Sequence, residues 1–195
     1  MPLPASSKPL RADAERTVRA ILEAAERVLS ENPAASMERI AEAAGVARTT
    51  VHRRFASRDA LITALATWAT QQFREAVEAA RPDTAPPAVA LYQATANVLR
   101  VKVSWGFAMG AFPTDAPEVE RVHAEVLARC AQLFTRLRDV GLLRPDTDPD
   151  WARRVYYALI HEAAAEAPDT DAAVDALATR VVDTLLHGLG TRPAP

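Results

Sequence analysis

GVARTTVHRRF, residues 45–55, sets three arginines and a histidine side by side in a chain whose formal net charge is −2. A helix advances about 100° per residue, so Ala47, Val51 and Phe55 fall on one side and Thr49 and Arg53 on the other, with Thr50 and His52 flanking them. The apolar side docks and the polar side looks outward. Arg48 lies on the border in the first turn, and Arg54 near the opposite border toward the end. Gly45 permits a positive φ and hence a sharp turn into this helix. Ahead of it, Ser36 stands where an N-cap is wanted, and Met37, Ile40, Ala41 and Ala44 make a short helix ending at that glycine. Short helix, glycine turn, short helix is the helix-turn-helix arrangement. Arginines on a short surface helix are most often simply solvated. An outward face of Thr, His and Arg beyond a sharp turn suits the major groove, where Arg contacts guanine bidentately and Thr meets a thymine methyl.

Working outward, Ala12 to Glu31 places Val18, Ile21, Leu22, Ala25, Val28 and Leu29 on one helical face, with Arg16, Arg19, Glu23, Glu26 and Arg27 mostly outside. Prolines then punctuate the chain at ENP (31–33), RPDTAPP (81–87), FPTDAP (112–117), RPDTDPD (144–150) and APDTD (167–171). Pro-Asp-Thr occurs three times as a stop-then-cap device, Pro ending one helix and Asp or Thr capping the next. The intervals between its copies are unequal, so it marks no solenoid repeat. Between breakers the pattern is alanine-rich and helical, with no convincing strand alternation. The expectation is an all-α fold of about nine helices. The expected division is an N-terminal arm and helix-turn-helix domain at residues 1–60 and a second, all-helical domain at 61–195, the latter being where the family resemblance given below would put effector binding and dimerisation.

Composition narrows the class. A chain of 195 residues, 49% hydrophobic and 25% charged with nearly balanced signs, fits a soluble globular protein of one large or two small domains. Any basic footprint must be local, because the net charge steers nothing to nucleic acid. The single Cys130 forms no internal disulfide, and no apolar run approaches the roughly 18 residues of a membrane span. MPLPASSKPLRAD at the N-terminus lacks a signal-peptide core, so a cytoplasmic protein is expected.

ILEAAERVLSENPAASMERIAEAAGVARTTVHRRFASRDALITAL, residues 21–65, resembles the tetracycline-repressor-like (TetR) transcriptional regulators over about a quarter of the chain. The family pattern is similar to an Ile-Leu-x-Ala-Ala first helix, seen here at 21–25, and an Ile-Ala-x-x-Ala-Gly-Val second helix and turn, at 40–46. Its third helix closes on Phe, here Phe55, followed by Ser-Lys-Glu-x-Leu, here Ser57-Arg58-Asp59-Ala60-Leu61. Three positions depart from it: His52 where Tyr is usual, Arg58 for Lys, and Asn32-Pro33-Ala34-Ala35 for a glycine-containing turn. An imidazole still donates to a phosphate, with pH-dependent strength. The resemblance implies that Thr49, Thr50 and Arg53 meet base edges, that Arg48 meets base or phosphate, and that Ser36, His52 and Arg58 anchor the DNA backbone. Lys8, Arg11, Arg16 and Arg19 form an arm over adjacent phosphates or minor groove, or else a solvated tail.

The remainder is chemically vaguer. A fourth helix to about Ala80 carries Leu61, Leu65, Trp68 and Phe73, and Gly106 and Gly110 interrupt the aromatic run WGFAMGAF. Trp105, Phe107, Met109 and Phe112 either line an apolar effector pocket, with Tyr92, Tyr156 and His161 as polar points, or are plain core. In the last helix Val174, Leu177, Val181 and Leu185 form one stripe and Ala178, Val182, Leu186 and Leu189 a second. With Trp151, Val155, Ala158 and Leu159 these suit an intermolecular four-helix bundle, the alternative being a central helix of a monomer core. A two-fold dimer would present its recognition helices to a pseudo-palindromic operator at about 34–36 Å spacing. An effector favouring another state would release the DNA.

Catalysis is not expected. His123 with Glu120 and Glu125, or His161 with Glu162, lack the accompanying metal, phosphate-loop or nucleophile motifs, and neither cofactor nor metal is implied. The reading is therefore a dimeric DNA-binding regulator, most simply a repressor released by a small molecule. Its rivals are a helical interaction module without specific DNA binding and, more remotely, an all-α enzyme.

Overall fold

The computed structural model describes residues 7–110, 116–166, 168 and 170–189. All regular structure among these is helical: α1 (Ser7–Glu31), α2 (Met37–Ala43), α3 (Arg48–Arg54), α4 (Arg58–Ala79), α5 (Pro87–Ser104), α6 (Gly106–Gly110), α7 (Pro117–Asp139), α8 (Pro149–Ala164) and α9 (Asp171–Leu189). The chain divides into two compact units. One comprises Met1–Trp68 with Gly106–Pro113, the other Ala69–Trp105 with Thr114–Pro195. The division expected at residue 60 thus lies within α4, and α6 returns from the middle of the chain to the first unit.

The first unit is built on α1, whose Ile21, Leu22, Ala25 and Leu29 are buried as their spacing demands. Ile40 of α2, Val51 of α3, and Leu61 and Leu65 of α4 are likewise fully buried, each such side chain contributing about 1.5–3 kcal/mol. Two expectations about α1 change. It begins at Ser7 rather than near Ala12, so the described part of the proposed arm is helical. Glu26, expected outside, is only 5% exposed. Helical spacing alone leaves it outside, but α6 packs over that side of α1.

The second unit packs α5 against α7, α8 and α9. Its core includes Val77, Leu91, Leu99, Phe134, Leu137, Leu143, Tyr156 and Leu185. The Phe134 and Tyr156 rings meet at 5.4 Å between centroids, tilted by 52°. Arg136 of α7 donates to the carbonyls of Pro82 and Ala85, fastening the α4–α5 turn. Of the three Pro-Asp-Thr copies only the last caps as expected, the Thr170 hydroxyl accepting from the Ala173 amide at 3.2 Å. At α8 the cap is Asp148, just beyond the second copy.

Candidate nucleic-acid interface

The α2–turn–α3 segment is fixed at both helix ends. Ser36 is the N-cap of α2, its hydroxyl accepting from the Arg39 amide at 3.3 Å. Gly45 adopts φ +66°. Its amide donates to the Glu42 carbonyl at 3.1 Å and that of Val46 to Ala41 at 3.1 Å, the paired bonds of a Schellman motif. The chain then enters α3, which Val51 (0% exposed) and Phe55 (7%) hold against the unit.

The opposite face of α3 is open. Arg48, Thr49, His52, Arg53 and Arg54 are exposed, Thr50 is partly buried, and no carboxylate interrupts residues 45–58. Arg53 and Arg54 have no ion-pair partner among the described residues. Arg48 does: its guanidinium meets the Glu38 carboxylate of α2 at 2.8 Å and reaches Nε2 of His52 at 3.4 Å. Glu38 is held below the usual carboxylate range by its own backbone N–H and the Ser36 hydroxyl first, then by Arg48 and His52. An acid therefore sits beside the basic face as a competitor for Arg48, a pairing that sequence reading missed. Its two members lie on different helices, so no helical spacing announces it.

Arg58 opens α4, where Ser57 caps the helix by accepting from the Ala60 amide at 3.1 Å. The Arg58 guanidinium donates to the Pro33 carbonyl, tying this end of α4 to the turn between α1 and α2. Arg16 pairs with Asp13, and Arg19 with Glu23 at 3.7 Å while lying 5.3 Å over the Trp68 ring. The side chains of Lys8 and Arg11 lie outside the described residues.

Comparison with known proteins decides the family. Residues 21–65 match the family described as bacterial regulatory proteins, tetR family. The chain is 35% identical over 191 residues to the HTH-type transcriptional repressor LfrR of Mycolicibacterium smegmatis, covering 92% of this chain and 93% of that one. This chain belongs to the TetR family of transcriptional regulators. Among solved structures, LfrR from Mycobacterium smegmatis in complex with proflavine is 30% identical, with a TM-score of 0.67 over 91% of this chain and 99% of that one. The TetR-family regulator PfmR of Thermus thermophilus, at 19% identity, shares the fold with a TM-score of 0.74 over 88% of this chain and 99% of that one. The protein is thus a DNA-binding transcriptional regulator of the TetR family rather than an enzyme. No helix among the described residues is long and apolar enough to cross a membrane.

Of the expected effector residues, Tyr92, Trp105, Tyr156 and His161 are described in the second unit of this TetR-family regulator. Tyr156 is 4% exposed; its hydroxyl meets that of Thr95 at 2.9 Å. Thr95 spends its own proton on the Leu91 carbonyl, so Tyr156 donates to it. Burial pushes the Tyr156 phenol far up. Tyr92 donates to Asp183 of α9 at 2.6 Å, which raises its phenol to about 12. Trp105 is half-buried at the end of α5, His161 is exposed, and Phe107 belongs to the first unit. Phe112 and the side chain of Met109 lie outside the described residues. Lys102 of α5, not singled out from the sequence, is half-buried; desolvation lowers its ammonium pKa.

Val174, Ala178, Val181, Val182 and Leu185 are buried in the chain's own core, and Val155, Leu159 and Leu186 pack against it partly buried. Val174, Leu177, Val181 and Leu185 of one α9 stripe and Ala178 and Val182 of the other are buried in its own unit, where α5 and α8 flank the helix. Among the described side chains, α8 exposes Asp150, Trp151, Arg154, Ala158, His161 and Glu162, and α9 exposes Asp171, Ala172, Asp175, Ala176, Thr179, Arg180, Thr184 and His187.

Proposed function

We propose that this regulator binds a pseudo-palindromic operator as a homodimer and leaves it when a small molecule occupies the helical second unit. The observation that carries the DNA half is the outward face of α3: Thr49, Arg53 and Arg54 are exposed on a helix that Val51 and Phe55 hold down. Thr49, Thr50 and Arg53 read base edges, and Arg48 reads a base or phosphate once it leaves Glu38. Ser36, His52 and Arg58 meet the DNA backbone, Arg58 by exchanging the Pro33 carbonyl for a phosphate.

The effector half rests on the relatives. The LfrR structure holds proflavine, and the second unit here carries aromatic rings at Trp105, Tyr92 and Tyr156, with Asp183 beside Tyr92. The dimer forms through the outward stripes of α8 and α9 rather than through the residues buried in the core.

Anisotropy titration of duplexes selected from a random pool, across salt and with added proflavine, tests this reading. Binding should weaken linearly in log salt, and proflavine should raise the midpoint. Absence of binding to any duplex would sink it.

A further inference from the structure

Glu26 is a carboxylate inside a helical core, and its main partners are backbone amides rather than basic side chains. Oε1 accepts from the Phe107 amide at 2.7 Å and Oε2 from the Ala108 amide at 3.0 Å; the Ser30 hydroxyl donates to Oε1 at 3.3 Å. Those two amides belong to the first turn of α6, whose N–H groups have no intrahelical acceptor. The residue before α6 is Trp105, which has no side-chain acceptor to serve as a cap. The cap comes instead from α1, about 80 residues earlier in the chain.

The position matters because α1 carries α2 as well as α6, and because α6 follows α5 after the single residue Trp105. The Glu26 carboxylate ties α6 to the helix that supports the DNA-reading pair. We propose that Glu26 is a positioning residue for DNA binding: by clamping α6 to α1 it links the position of α6 to the operator-bound arrangement of α2 and α3. The inference rests on the proposed DNA reading and goes beyond it.

Linkage makes the idea testable without knowing the effector, since operator binding must tighten whatever clamp favours it. Amide hydrogen exchange at Phe107 and Ala108 is measured in the wild-type chain with and without a duplex selected for binding. Exchange there should slow about tenfold on the duplex, the change expected for a coupling near ~1.4 kcal/mol. E26Q should lose this response and bind the same duplex about tenfold more weakly at unchanged salt slope, because no phosphate contact is removed. E26D, which keeps the charge, should recover part of both.

A wild-type chain that binds duplex with unchanged exchange at both amides overturns the clamp alone. So does an E26Q chain that matches wild type in affinity and exchange. A wild-type chain that binds no duplex overturns the DNA reading and the clamp with it. The wild-type measurement requires no variant, so a poorly folded E26Q would not shield the proposal.

Discussion

At Arg53 the question is whether a guanidinium reads a base or merely a phosphate. It is exposed on the outward face of α3 with no ion-pair partner among the described residues, so it is available without breaking an internal contact. Arg53→Ala should cost about 1–3 kcal/mol on the selected site and much less on unrelated duplex if it reads guanine. Equal loss on both would make it a phosphate contact. Glu38 argues in the opposite direction. Its pairing with Arg48 at 2.8 Å must open before Arg48 meets DNA, so Glu38→Gln should raise affinity on all duplexes and steepen the salt dependence; unchanged affinity would mean Arg48 stays away from DNA. Glu26 has a distinct pH signature. Burial pushes its carboxyl above 4.5, against the lowering effect of the Phe107 and Ala108 amides and the Ser30 hydroxyl. A carboxyl with a raised folded-state pKa binds its proton more tightly when folded, so its contribution to stability falls as pH rises from 4.5 through the raised value. The unfolding free energy of wild type relative to E26Q, measured in urea, should therefore be larger at pH 4 than at pH 7. A flat difference would contradict the shift.

At the scale of elements, the turn before α3 shows how little chemistry sets a recognition helix. Gly45 supplies the left-handed residue of the Schellman motif, and a Cβ there would meet no heavy atom within 4 Å. Gly45→Ala therefore costs only the backbone penalty, about 1–2 kcal/mol, readable as a lower denaturation midpoint with DNA contacts intact. A loss of several kcal/mol would reveal a steric role that the open surroundings exclude. Gly141 repeats the device after α7, with φ +77° and the Leu142 amide returning to the Leu137 carbonyl at 2.9 Å. The Gly45 stop, like the Ser36 and Thr170 caps, was legible in the sequence because each depends on residues within one turn. The cap of α6 was not, because its acceptor comes from another helix.

At the scale of the whole molecule, one chain carries two compact units, and a homodimer is proposed to set the spacing of two α3 helices. Trp151 is 53% exposed with the Arg154 guanidinium 5.4 Å from its ring centroid, an apolar surface without a covering helix in its own unit. Trp151→Glu should shift sedimentation toward monomer and weaken operator binding without lowering monomer stability. A variant that stays dimeric would move the interface elsewhere on α8 and α9.

Helical periodicity, caps and the Gly45 turn are local properties, and the residue pattern at 21–65 therefore specified the all-α class, the helix-turn-helix and its outward Thr49 and Arg53 before any coordinates. Periodicity says that a face is buried, not what buries it. Leu177 and Val182 of α9 could serve a partner or the chain itself, and only their burial beside α5 and α8 assigns them to its own core. Tyr156 could line a pocket until Thr95, 61 residues away, was found to hold its hydroxyl. Glu26 could face water until the amides of α6 were found upon it. Each of these depends on groups far apart in the chain, whose meeting is a consequence of packing rather than of any local spacing.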